Sequence, residues 1–86
     1  MAKKDTFEIK TIALGLIDRP IEPDRMSIDP DYIEELSKSI SEIGLMNPIG
    51  LRPVNGRFEI VDGDRRFLAI QKLGIKEIKA RVLHLD

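Results

Sequence analysis

An apolar strand that runs into one glycine and then straight into a helix leaves a small chain few ways to fold. Residues Ile60-Val61-Asp62-Gly63-Asp64-Arg65-Arg66-Phe67-Leu68-Ala69 have that form. The first turn of a helix carries unpaired N–H groups and a partial positive charge. Glycine at the junction has no Cβ, so an anion can come close to the backbone. Arg65 and Arg66 stand in that first turn and add two multidentate cations. The stretch is therefore a candidate phosphate site. A tight turn with two solvated arginines explains the same residues and stays open at this point.

The rest of the composition narrows what else the chain can do. Eighty-six residues make one small domain. Such a domain buries roughly two-thirds of its unfolded surface. Hydrophobic residues at 42% and charged residues at 34% fit a folded domain better than a disordered tail. There is no cysteine, which removes disulfides, thiolate catalysis and cysteine zinc sites. His84 is the one histidine and lies outside every motif, so no zinc site is expected. The net charge of −1 argues against gripping DNA by bulk charge. Phosphate binding must then rest on local placement. No signal peptide and no stretch of membrane-spanning length is present, so a cytoplasmic protein without membrane contact is expected.

Along the chain, residues 1–6 are expected to be a disordered N-terminus and 7–86 the folded domain. Phe7-Glu8-Ile9-Lys10 alternates and starts a strand over about 7–14. Gly15, Pro20, Pro23 and Pro30 make 15–30 a loop. Asp29-Pro30 caps and opens a helix. Ile33, Leu36, Ile40 and Ile43 continue it at helical spacing, and Gly44 ends it, giving a helix over 30–43. Asn55-Gly56 is a hairpin turn between strands over about 49–53 and 57–61. A second helix is expected over 64–73 and a last strand over 78–85. The order β-α-β-β-α-β makes a mixed α/β (α+β) domain with a mixed sheet. An ending on a strand is compatible with one domain of a longer protein.

Two further groups of residues carry possible chemistry. Asp62 and Asp64 flank Gly63 and can either hold a divalent metal or cap the helix and pair with arginines. The favoured reading is the second. The loop charges Asp18, Arg19, Glu22, Asp24 and Arg25 read first as a solvated loop. Glu22 becomes a candidate general base if that loop folds over the phosphate site. No helix-turn-helix pattern or basic–aromatic interleaving is evident, so the chain by itself has no means of reading a DNA sequence.

Taken together, three segments resemble the ParB N-terminal domain of the ParB/sulfiredoxin-like superfamily. They are Leu36-Ser37-Lys38-Ser39-Ile40, Gly44-Leu45-Met46-Asn47-Pro48-Ile49 and Gly63-Asp64-Arg65-Arg66-Phe67-Leu68-Ala69. They occur in the family's order, with a hairpin between the last two, and the resemblance covers about residues 7–85. It implies a CTP-binding domain that uses Mg²⁺ and works in DNA, chromosome or plasmid partition or DNA-associated regulation. DNA then enters through further domains or partners, and a homodimer is possible within the family. It implies that Gly44, Leu45, Pro48 and Ile49 line the nucleotide pocket and that Gly63, Arg65 and Arg66 hold the phosphates. Asp62, Asp64 and Glu22 are the candidate catalytic residues, with no firm metal ligand set.

The chain also departs from the family. Asp64 replaces the family's glutamate and is one methylene shorter. The family's downstream Glu-Asn-x-x-Arg helix and helix-turn-helix domain have no counterpart up to Asp86, so hydrolysis and DNA clamping are not expected of this chain alone. Sulfiredoxin chemistry is excluded, because the residue after Gly63 is Asp64 and not cysteine. Free serine kinases of the superfamily, which use ADP or ATP, carry an Asp-Gly-His-His-Arg loop. Asp62, Gly63 and Arg66 match it, while Asp64 and Arg65 replace the histidines. An ADP- or ATP-dependent kinase is thus the second reading. A non-catalytic interaction module or a ParB-like nuclease ranks below it.

Overall fold

The computed structural model describes residues 6–20 and 29–84. Strand β1 spans Thr6–Ala13, and a 3-10 turn at Leu14–Leu16 leads to the two-residue strand β2, Ile17–Asp18. Helix α1 follows at Pro30–Ile43, then β3 at Ile49–Val54, β4 at Arg57–Asp62, α2 at Asp64–Lys72 and β5 at Glu77–His84. The sheet order is β1-β5-β3-β4-β2. β1/β5 and β3/β4 are antiparallel, whereas β3/β5 and β2/β4 are parallel. The predicted mixed α+β domain is thus observed, with β2 as an addition inside the expected loop. β2 rests on β4, and Arg57 holds it there by donating two bonds to the Asp18 carboxylate at 3.0 Å. No periodicity marks a strand of two residues. Of the expected disordered residues 1–6, Thr6 instead opens β1 opposite His84, and residues 1–5, like most of the proline-rich loop with Glu22, lie outside the described residues.

One face of the sheet and both helices form the core. Ile12, Ile17, Ile49, Leu51, Ile60, Ile78, Ala80 and Val82 come from the strands, and Ile33, Ile40, Phe67, Ala69 and Ile70 from the helices. β5 shows the reason, since its residues alternate between buried and more exposed from Glu77 to Leu83. Asp29 caps α1 by accepting a bond from the Asp31 N–H at 3.0 Å, and Pro30 occupies the first turn. Ser37 is buried between the helices and donates to the Ile33 carbonyl at 2.8 Å. That bond satisfies its hydroxyl within its own helix. With Ala69 opposite, two small side chains let the helices approach.

The other face of the sheet is open. It carries Phe7, Ile9 and Val61 as exposed apolar groups, beside cross-strand pairs such as Arg52–Glu59 at 2.8 Å. Between β3 and β4 the register slips: Leu51 faces Ile60 but Gly50 faces Asp62. Val61 is the extra residue of a bulge. The bulge moves Asp62 from the face that Ile60 uses to the open face that Gly50 uses.

Candidate functional site

The site is built where β4 hands the chain to α2. Gly63 caps α2 with φ 106° and no side-chain bond. Only glycine takes that backbone readily. A Cβ there would also sit 2.7 Å from Ile49 Cγ2 and 3.0 Å from Arg66 Nη2. Two independent constraints therefore keep this position bare. The result is a helix start whose first N–H groups receive no bond from a cap side chain. A backbone so approached and so polarised favours an anion.

Arg66 is the centre of the site. It is one helical turn past Asp62, and its Nη2 donates to Asp62 Oδ2 at 3.3 Å. Its Nη1 donates to the Asn47 carbonyl oxygen. Arg66 lines three clefts. The largest, of ≈ 510 Å³, is lined by Asn47, Pro48, Asp62, Arg66 and Arg81. A second, of ≈ 290 Å³, is lined by Tyr32, Leu36, Asp62, Gly63, Asp64, Arg65 and Arg66. A third, of ≈ 180 Å³, is the more apolar one and includes Leu36, Ile40, Gly44, Leu45, Met46 and Arg66. A concave, mostly preformed pocket with a few convergent polar groups is what a small-molecule site needs. Here cations converge at one end and aliphatic groups line the other.

The expected site residues largely come together. Gly44 and Leu45 line the third cleft, Pro48 and Asp62 the first, and Gly63, Asp64, Arg65 and Arg66 the second. Ile49 is fully buried and supports Gly63 from beneath instead of lining a cleft. Glu22, the candidate base, lies outside the described residues. Asp64 is engaged by Arg19, which donates from Nε at 2.9 Å and from Nη2 at 2.8 Å to its two carboxylate oxygens. These bonds strengthen the hold of the Arg19 guanidinium on its proton, above an already high value. Among the described residues, no three His, Asp or Glu side chains gather as a metal cluster.

Arg81 belongs to the site and was not expected there, while Asn47, inside the expected Gly44–Ile49 segment, lines the first cleft. Arg81 lies level with Gly50, which lies level with Asp62. Its Nη2 donates to Asp62 Oδ2 at 2.8 Å and its Nε to the Pro48 carbonyl at 3.3 Å. Alternation along the last strand gives the face of Arg81, but not the parallel pairing with β3 that sets it beside Asp62. Asn47 is within the Gly44–Ile49 segment and contributes through its carbonyl, which side-chain chemistry does not flag.

With this geometry in hand, the comparisons with known proteins are specific. The chain matches the ParB N-terminal domain family over residues 1–86. It is 40% identical over 73 residues to a probable chromosome-partitioning protein ParB of Coxiella burnetii, covering 85% of this chain and 25% of that one. The chain thus spans about a quarter of the length of that curated relative. A C-terminally truncated ParB of Caulobacter crescentus, solved with CTP-gamma-S, superimposes with a TM-score of 0.81 at 32% identity, over 92% of this chain and 46% of that one. The same ParB solved on its centromeric parS site gives 0.77 over 90% of this chain and 41% of that one, also at 32% identity. Sulfiredoxin of Arabidopsis thaliana gives 0.75 at 36% identity, over 87% of this chain and 83% of that one. No described helix is long and apolar enough to cross a membrane. The fold, the glycine-capped helix and the family match agree, and this chain belongs to the ParB N-terminal domain family.

Proposed function

We propose that this chain is a nucleotide-binding domain, with CTP as its nucleotide, of a protein that works in DNA partition or DNA-associated regulation. The observation that carries the reading is that Arg66 and Asp62 line both the ≈ 510 Å³ cleft and the ≈ 290 Å³ cleft at the glycine-capped start of α2. Guanidinium groups and helix N–H groups are the natural partners of phosphate oxygens. Gly63 and Arg66 hold the phosphates, with Arg65 beside them. Gly44, Leu45 and Pro48 line the way to the base and sugar. The relative bound to CTP-gamma-S supports this assignment of ligand. The relative bound to parS supports DNA as the eventual partner, reached through the longer protein.

Mg²⁺ fits such a site without a protein cage. The ion is usually held through one or two carboxylates plus substrate phosphates. Asp62 is the better placed carboxylate, since its side chain is 60% exposed and that of Asp64, held by both nitrogens of the Arg19 fork, is 21% exposed. The test is the melting temperature with CTP, ATP, ADP and GTP, each with Mg²⁺. A ligand that binds only the folded state at about 100 times its Kd adds about 2.7 kcal/mol. For a domain of this size that is a rise on the order of 10 °C. A rise selective for CTP is expected. A rise selective for adenine nucleotides would move the chain to the kinase reading, where Asp62 acts on the hydroxyl. No rise with any of the four would contradict nucleotide binding.

A further inference from the structure

Arg81 and Asp62 form a pair that the phosphate-loop reading does not need. Both Arg81 Nη2, at 2.8 Å, and Arg66 Nη2, at 3.3 Å, point at the same oxygen, Asp62 Oδ2. Arg81 starts two strands away and crosses β3 to get there. It can do so because Gly50 stands between them. A Cβ on Gly50 would lie 3.4 Å from Arg81 Nη2 and 3.4 Å from Asp62 Cβ, so a longer side chain would stand in the path. The bulge at Val61 completes the arrangement by turning Asp62 to this face.

Stability does not account for the arrangement. The Asp62 side chain is 60% exposed, whereas those of Arg66 and Arg81 are 23% and 31% exposed. An exposed carboxylate contributes little through ion pairs. Two guanidinium groups share one carboxylate oxygen, so the cluster keeps an excess of positive charge beside a positive helix end. Each arginine also has further N–H donors that one oxygen cannot use. A phosphate group offers several oxygens to the same two forks.

Building on the nucleotide reading above, we infer that Arg81 is a second phosphate-binding arginine and that Asp62 is its resident counter-ion, which a polyphosphate replaces on both guanidinium groups. Asp62 keeps the two cations side by side in the absence of ligand and competes with the ligand for them. Removing its charge therefore strengthens binding of a bare polyphosphate. Removing Arg81 weakens it.

The experiment is calorimetric titration with inorganic tripolyphosphate without metal, and in parallel with CTP and Mg²⁺. The proteins are wild type, Asp62→Asn, Arg81→Ala and Arg81→Lys. Arg52→Ala, which removes an arginine paired with Glu59 elsewhere on the open face, controls for bulk charge. Asp62→Asn is expected to bind tripolyphosphate about 10-fold more tightly. Arg81→Ala is expected to lose about 10- to 100-fold. Arg81→Lys keeps the charge without the fork and falls between wild type and Arg81→Ala. It also answers for the alanine variant should that fail to fold. Arg52→Ala stays within about twofold of wild type, as is usual for a rim charge. Weaker tripolyphosphate binding by Asp62→Asn, or wild-type binding by both Arg81 variants, would overturn the inference. If CTP still binds in that case, the nucleotide reading stands alone. If tripolyphosphate behaves as expected but CTP binds no better than it, the inference stands and the nucleotide reading falls. If wild type binds neither, both fall.

Discussion

The two faces of the sheet follow opposite rules. On the covered face, Ile49, Leu51, Ala80 and Val82 are apolar and at most 2% exposed. On the open face, Arg81 bonds to Asp62 and Arg52 to Glu59 across strands. Burial of apolar surface is the main force holding a domain of this size. Exposed ion pairs add little. The covered face therefore carries the stability and the open face is free to carry function. The crossing between them is the short run from Ile60 to Gly63. There one bulge and one left-handed glycine turn a core strand into the wall of a charged cleft.

This division is easiest to break from the covered side. Leu51→Ala leaves a cavity under the centre of the sheet and is expected to cost about 2–5 kcal/mol. Chemical denaturation measures it, and Arg52→Ala, the adjacent residue on the other face, is expected to cost less than about 1 kcal/mol. Equal losses would show that the faces are not divided as described.

Gly63→Ala tests the crossing point. The new Cβ meets Ile49 at 2.7 Å in a backbone with φ 106°. Strain of that kind costs on the order of 1–3 kcal/mol, and the overpacking adds to it. Thermal unfolding is expected to fall by several degrees, together with nucleotide affinity. A fully stable Gly63→Ala would mean that the junction accepts a side chain and that its bareness serves neither packing nor ligand.

The smallest effect belongs to β2. The Arg57 hydrogen bonds hold the Asp18 carboxyl below the usual carboxylate range. A lowered pKa in the folded state gives stability above the unfolded value, about 3.9, that is lost as pH falls through the folded one. Following the Asp18 carboxyl by NMR should give a midpoint below 3.9 in wild type, returning toward that value in Arg57→Ala. Asp18 is exposed, so the change in global stability is expected to be slight. A normal midpoint in wild type would mean that the pair does not hold β2 in solution.

Much of this was legible in the sequence, because the signals were local. Asp29-Pro30 and Gly44 mark helix α1 to the residue, and Asn55-Gly56 adopts positive φ at both positions, as the hairpin requires. The junction at Gly63 was legible for the same reason. What stayed hidden depends on pairing between distant strands. β2 is too short to show a period and exists because it lies on β4. Arg81 joins the cleft only through the parallel pairing of β3 and β5. The bulge that re-aims Asp62 leaves no mark in an apolar run such as Ile60-Val61. Ile49 reads as a pocket residue from its motif, yet it is the floor beneath Gly63.

The central claim is that Arg66, at the bare start of α2, holds the phosphates of a nucleotide. Titrating CTP with Mg²⁺ into wild type and Arg66→Ala tests it most directly, with melting curves of both proteins to show that each is folded. Loss of one charge-assisted phosphate contact is expected to weaken binding about 10- to 100-fold. Undiminished affinity in a folded Arg66→Ala would contradict the account.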